Sequence, residues 1–398
     1  MSGFATGFRR VAMVSSKPQL LQGVLGIHKP MGISSAQVLR DVEQQFNKSA
    51  LFAPLLAAER AAIEDEKKRN PKYRRARGPN RATRVKLGHG GTLDPLATGV
   101  LITGVGAGTK ALGRFLGECT KTYEATVLFG CATDTYDNTG KVIRRAPYQH
   151  VTKDAVEAAL AKYRGPGEQI PPVYSALKFG GKKAYEIMRE GGERPEMKPR
   201  PVTVHALELV EWMEPGTHAW KFPTEELEAS EEEKDAILGV SASNKSEDAQ
   251  ASAGSKRKRE EDEAAENSPK KTKTEAGAEP SNSSPDGSSA PAALIRMTVS
   301  SGFYVRTLCH DLGIDVGSFG CMTYLVRSEQ GEFKLGKNVL EYEELEKGEE
   351  VWGPKVQGFL EDWMAREEGK NVDAADKVEE KQKTSRSRSR SPIKEAIS

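Results

Sequence analysis

Residues 88–99, GHGGTLDPLATG, limit what this chain can fold into more than any other stretch. Gly90, Gly91 and Gly99 let a backbone bend sharply or approach a ligand closely. Pro95 has a fixed φ and no N–H, and it biases Asp94 toward extended geometry. The stretch is therefore a loop holding one carboxylate, Asp94, with His89 five residues upstream. Residues 100–105, VLITGV, read as a buried strand directly after it. A loop carboxylate propped on buried structure is a common place for catalysis. Taken alone, an Asp before Pro is usually an ordinary turn residue.

The flanking elements follow from local pattern. Residues 23–28 read as a first strand, with Lys29 and Pro30 opening the turn after it. Ser34 and Gln37 have capping-box spacing, and Val38, Leu39, Val42 and Phe46 recur at helical spacing, so a helix is expected over about 35–46. A second helix is expected over 51–66. Residues 122–129 alternate as a strand with Tyr123, Ala125, Val127 and Phe129 on one face, and 134–140 are turn-rich. Thr152 caps a helix that Gly165 stops. The two prolines of 169–178, QIPPVYSALK, exclude a helix there. A short helix is expected over 183–189 and strands over 200–212 and 294–299. Tyr304 shares a face with Arg306 if that last strand continues to them, and Arg306 precedes an apolar helix start. Helices are expected over 342–346 and 351–364. Irregular alternation of strands and helices suits an α+β class.

Taken together, these residues resemble the TruB-type pseudouridine synthases, which isomerise a uridine in the T loop of tRNA. The match to their catalytic motif, GHGGTLDPLATGVLI, is long and gap-free. The resemblance covers about residues 23–222 and 294–340. It implies a mixed, mainly antiparallel sheet flanked by helices, with a central RNA-binding cleft. It implies that Asp94 is the nucleophile and that His89 helps to place the target base. By the same resemblance Lys29, in a Lys-Pro motif, packs beside the active site; Tyr123 stacks on the base; Arg306 pairs with the aspartate; Leu325 and Arg327 lie near the base pocket. Tyr304 is a further substrate-binding candidate. The implied partner is the T-stem loop of tRNA, with messenger RNA as a further candidate. The implied chain acts as a monomer, without guide RNA, cofactor or metal. Two alternatives stay open: a guide-RNA-dependent H/ACA-type synthase, and a tRNA chaperone without chemistry.

Composition divides the rest. Between Lys67 and Lys86 ten basic residues run without an acid, and Tyr73 lies among them. This part of an insertion over 48–87 suits phosphate contacts, or is a solvated face. A longer basic segment here resembles fungal members of the family. Residues 223–293 are rich in Ser, Glu, Lys, Ala and Pro, and read as a disordered insertion. Their basic clusters at 256–259 and 270–273 read as a bipartite nuclear localisation signal or as plain charge patterning. The domains expected are thus a flexible start at 1–22, a catalytic domain in two parts (23–222 and 294–345), and a short helical region with a Ser/Arg tail at 346–398. The serines of the tail are candidate phosphosites. Arg9, Arg10 and Lys17 precede the first acid, Asp41, which resembles a weak mitochondrial presequence as well as a short floppy start. Cys119, Cys131, Cys309 and Cys321 form no C-x-x-C pair, which speaks against zinc and fits a reducing compartment. No apolar run approaches a membrane span.

Overall fold

The computed structural model describes residues 20–70, 84–239 and 290–388. In chain order the elements are β1 (Gly23–Lys29), α1 (Ser35–Lys48), α2 (Ala53–Arg69), β2 (Leu87–His89), β3 (Thr98–Val105), a 3-10 turn (Gly106–Ala111), α3 (Leu112–Gly117), β4 (Lys121–Phe129), β5 (Cys131–Thr133) and β6 (Val142–Arg145). Next come α4 (Lys153–Lys162), β7 (Gly165–Gln169), β8 (Lys178–Phe179), β9 (Lys182–Lys183), α5 (Ala184–Arg189), β10 (Arg200–Met213) and α6 (Glu231–Leu238). The chain ends with β11 (Ala292–Val299), α7 (Val305–Asp315), β12 (Gly320–Gln330), β13 (Phe333–Lys334), β14 (Val339–Glu341), a 3-10 helix (Tyr342–Lys347) and α8 (Glu349–Arg388). It folds as two compact units, Met1–Lys121 with Arg327–Ser398, and Thr122–Val326. Each carries part of a mixed, mainly antiparallel sheet with helices beside it, an α+β architecture.

In the first unit β1 pairs antiparallel with β3, from Gly23 opposite Val105 to Lys29 opposite Gly99, and parallel with β14 on its other edge. The loop carrying Asp94 is the lead-in to β3. Helix α1 starts where the pattern places it, because the Ser34 hydroxyl accepts the Gln37 N–H at 3.1 Å. The reciprocal half of a capping box is not made; the Gln37 amide turns to Asp41 instead. Val38, Val42 and Phe46 lie four apart on one helical face, and all are fully buried against Leu25, Ile27, Leu101 and Val105 of the sheet. Burial of each contributes about 1.5–3 kcal/mol. Phe46 also stacks on Phe52 at 4.3 Å and meets Trp352 of α8 at 5.3 Å.

Several sequence expectations change here. Helix α2 belongs to the expected insertion over 48–87, yet its Leu55 and Leu56 enter the core beside Phe46 and Trp352, so this part is built into the unit. The middle of the basic run, residues 71–83, lies outside the described residues. The region after 346 is not a short helical piece. Helix α8 runs from Glu349 to Arg388, anchored at its start by Trp352, Val356 and Leu360 in the core. The described part of the Ser/Arg tail is therefore helical, and its remainder lies outside the described residues, as does the start of the chain to residue 19.

In the second unit the first part of β12 leads to β4, β11, β10 and β7 in that order. Antiparallel pairing of β10 with β11 runs from Val204 opposite Val299 to Met213 opposite Ala292. The insertion expected from residue 223 starts later in the structure. Residues 231–238 form α6, closed by a complete capping box at Ser230 and Glu233 and by Gly239 at φ +71°. Leu238 is buried with Ala132 and Ile143, and Arg144 pairs with Asp235 and Glu231. These contacts order a stretch whose composition alone reads as unfolded. Residues 240–289, with both basic clusters, lie outside the described residues. No described helix is long and apolar enough to cross a membrane. Cys131, Cys309 and Cys321 are buried, and burial raises their thiols above the ordinary range, Cys131 to about 12.

Candidate active site

Asp94 is half-buried on a loop whose backbone oxygens are nearly all taken. The Gln330 amide donates to Gly90 O at 2.6 Å and to Phe115 O at 3.0 Å. Arg327 donates to Gly91 O at 3.2 Å, to Thr92 O at 3.5 Å and to Val100 O at 2.8 Å. The Ser35 hydroxyl donates to Leu93 O at 2.8 Å and accepts Leu93 N–H at 2.9 Å. Ala97 N–H returns to Asp94 O at 3.1 Å, and Gly32 N–H reaches Pro95 O at 2.8 Å. Lys29 completes the set, donating to Ala97 O at 2.6 Å, Pro30 O at 2.8 Å and Pro95 O at 3.3 Å. Lys29, Ser35, Arg327 and Gln330 are all buried. A buried carbonyl without a donor costs about 1–3 kcal/mol, so each bond resists any other path for the loop. The backbone is fixed from 90 to 100, and the Asp94 side chain is held with it.

Gly99 shows why a glycine is needed at the end of this loop. Its φ is +114°, and a Cβ there would strike the Arg327 carbonyl oxygen. That close approach brings Arg327 within reach of the loop it holds.

The loop also rests on two cations. Burial lowers the Lys29 ammonium to about 8; the Asp94 carboxylate pulls it back up, and the Arg327 guanidinium pushes it further down. Lys29 is thus charged at neutral pH and attracts Asp94. All three of its protons go to carbonyls, those of Pro30, Pro95 and Ala97, so it holds the loop. His89, the last residue of β2, is half-buried beside the loop, and its neighbour Gly90 N–H bonds Ile102 O at 2.9 Å.

Tyr123, Tyr304, Arg306 and Leu325 all belong to the second unit. Tyr123 and Leu325 are buried on β4 and β12. Tyr304 does not continue β11, which ends at Val299; it is the N-cap of α7, and Arg306 is the second residue of that helix. The guanidinium is buried, donating to Thr135 O at 2.7 Å and Tyr174 O at 2.9 Å, with Asp137 Oδ2 3.7 Å from Nε. Asp137 is itself fixed, its Oδ1 accepting from Thr135 and Thr139 hydroxyls at 2.8 and 2.6 Å and from Thr139 N–H at 3.0 Å. The turn that presents Thr135 O passes through Tyr136 at φ +63°, unusual for a large side chain. Tyr136 is kept there by stacking on His310 at 4.0 Å and by donating to Ile237 O at 2.6 Å. Nearby, burial raises the Asp134 carboxyl against the pull of its bond from Lys141 N–H.

Gln330 was not among the sequence candidates, and Arg327 stood there only as part of a segment near the base pocket, not as an anchor of the aspartate loop. Both stand in the polar last four residues of β12, Arg327, Ser328, Glu329 and Gln330, where nothing local marks either as a loop anchor. Their partners lie more than two hundred residues away in the chain.

The family model of the TruB family pseudouridylate synthase N-terminal domain matches residues 79–228, which contain the whole loop. Over 333 residues the chain is 38% identical to tRNA pseudouridine synthase 4 of Schizosaccharomyces pombe, covering 79% of each chain. It is 31% identical over 372 residues to tRNA pseudouridine synthase 4 of Saccharomyces cerevisiae, covering 91% of this chain and 89% of that one. The chain belongs to the TruB family of pseudouridine synthases. A crystal structure of a Cbf5-Nop10-Gar1 complex is similar at a TM-score of 0.44 and 16% identity, covering 85% of this chain and 59% of that one.

Proposed function

We propose that the protein isomerises uridine to pseudouridine in the T loop of tRNA, without a guide RNA, and that Asp94 is the nucleophile. The observation that carries this is the Asp94 loop, a carboxylate left half-exposed while its backbone is tied down by four buried side chains. Relatives of matching length bear the name tRNA pseudouridine synthase 4, which supports tRNA as the substrate.

The reaction breaks the bond between C1′ of the ribose and N1 of the base, turns the base, and rejoins it through C5. It needs a nucleophile, a place for the base outside the RNA stack, and an acceptor for the C5 proton. Asp94 supplies the first. Unstacking costs a few kcal/mol, which His89 and Tyr123 offset by stacking and hydrogen bonding. Tyr123 or a water beside it takes the proton. Arg306 enters as the partner of the aspartate and Leu325 as part of the base pocket, both on the family resemblance. Lys29 serves by holding the loop.

The test is pseudouridine formation on an unmodified tRNA transcript by purified protein with nothing else added. Wild type is expected to modify the T-loop uridine. Asp94→Asn is expected to fold and bind the transcript without turnover. Near-normal turnover by the variant would remove Asp94 from the nucleophile's role; no product from a folded, tRNA-binding wild type would move the assignment to a guide-dependent or chaperone role.

A further inference from the structure

Gln169, the last residue of β7, is buried and makes a two-way clasp on the backbone of one residue, Tyr304. Its Oε1 accepts Tyr304 N–H at 2.7 Å, and its Nε2 donates to Tyr304 O at 2.9 Å. Donor meets acceptor at both ends, so only this orientation of the amide satisfies both backbone groups of Tyr304. Tyr304 is the N-cap of α7 but has no side-chain cap of its own. Its carbonyl also takes the first helical bond, from Leu308 N–H at 3.3 Å. The residue that starts the helix is thus held in place by a side chain 135 positions earlier.

The clasp has a second tie. Directly after Gln169 the chain passes through Ile170, whose carbonyl accepts the Thr307 hydroxyl at 3.4 Å, and reaches Tyr174, whose carbonyl accepts Arg306. The two prolines, Pro171 and Pro172, exclude a helix here, and the chain bends after them, where Ser175 N–H reaches Val173 O at 2.9 Å. The first turn of α7 therefore lies along one segment that begins at Gln169. Tyr304 and Arg306 share that turn.

From this arrangement we infer that Gln169 is a positioning residue: its amide sets the backbone at Tyr304 and through it the placement of the Tyr304 ring and the Arg306 guanidinium. The inference rests on the reading of Tyr304 and Arg306 as site residues given above. Small displacements of such groups are costly, with about a hundredfold in rate for about 1 Å.

Two variants of the full chain test it. Gln169→Leu keeps much of the volume and removes both bonds. It is expected to lower kcat about tenfold to a hundredfold and to leave KM within about threefold, because the group acts on placement and not on RNA binding. Gln169→Glu has the shape of the amide. As a carboxylate it sets an acceptor against Tyr304 O; as a neutral acid it donates there and still accepts Tyr304 N–H. Burial raises a carboxyl's pKa, so the activity of Gln169→Glu relative to wild type is expected to climb as pH falls from about 8 to about 5.5. The glutamine of the wild type does not titrate. A Glu/wild-type ratio flat across this range, or a loss that falls wholly on KM, would overturn the proposal. So would Gln169→Leu with kcat near wild type. Amide hydrogen exchange over residues 302–309 provides a readout free of turnover. Exchange there is expected to be faster in both variants at pH 8, and unchanged exchange would refute the clasp. If the wild type makes no pseudouridine, the proposed reaction is what fails, and hydrogen exchange alone decides whether Gln169 pins Tyr304.

Discussion

The Lys29 ammonium lies 2.6 Å from the Ala97 carbonyl oxygen, three residues past Asp94 in a loop that begins 61 residues after Lys29. The bond joins the end of β1 to the approach of β3, where Lys29 and Gly99 are already register partners. It explains why a lysine can be fully buried: its three protons match three carbonyls, and Asp94 lies within electrostatic reach.

Lys29 should impose a pH dependence. Below about 8 it is a cation with three donors; above, the amine keeps two N–H groups, one carbonyl loses its bond, and the charge near Asp94 is gone. Turnover is expected to fall as pH rises through about 8, and Lys29→Met should lower turnover and remove that limb. Stability has the opposite sign. The folded pKa is depressed from 10.5, so between about 8 and 10.5 the unfolded chain binds more protons, and stability rises with pH there. Paired turnover and denaturation profiles from pH 7 upward check both; an activity limb that persists in Lys29→Met assigns it elsewhere.

Arg327→Lys should be severe despite the conserved charge. The planar guanidinium spans Gly91, Thr92 and Val100 carbonyls, which an ammonium at one point cannot do. Leaving buried carbonyls unpaired is expected to cost about 3 kcal/mol in chemical denaturation. Turnover should fall further than RNA affinity, because the loop that carries Asp94 loosens while phosphate contacts persist. A variant of unchanged stability would show that the loop holds without this arginine.

Tyr123→Phe separates chemistry from stacking. If its hydroxyl carries the C5 proton, the rate is expected to drop by about 10²–10⁴ while RNA affinity stays close to wild type. A loss under about tenfold would leave Tyr123 a stacking role alone.

Tyr136→Phe should loosen α6. The hydroxyl bond to Ile237 O is one of two clamps on the end of that helix; the other is His310 Nε2 at 3.2 Å from Leu238 O. Burial lowers the His310 imidazole to about 4, so it stays neutral and donates through Nε2 at physiological pH. Loss of the tyrosine bond is expected to cost about 1 kcal/mol, seen as faster hydrogen exchange over 231–239 with little change elsewhere. Unchanged exchange would leave the docking of α6 to Leu238 and the Arg144 ion pairs.

Local pattern carried a good part of the fold. Ser34 before Gln37, Thr152 before its helix, and the spacing of Val38, Val42 and Phe46 act within a few residues, and the structure uses each of them. The Gly/Pro signature of 88–99 likewise marks a loop leading into a buried strand. Side chains whose work is to reach a distant backbone were harder to read. From its neighbours alone Lys29 reads as part of a polar turn, and only the family resemblance put it beside the active site; Gln169 reads as one more residue of a proline-rich run. Helix α6 was hidden by its composition: three glutamates at its start read as disorder, but Glu233 caps the helix and all three favour its N-terminus by charge once Leu238 has a core to enter.

By itself the sequence determined where the chain bends, which faces of its helices and strands are apolar, and where a carboxylate stands between glycines and a proline. These depend on φ restrictions and on periodicity, which neighbouring residues impose on one another. Tertiary structure decided which buried donors meet the carbonyls of that loop, why Gly99 admits no side chain, and which residue fixes the start of α7. Hydrogen bonds between residues such as Arg327 and Val100, or Gln169 and Tyr304, need a distance and a direction in space. Only the folded chain supplies those.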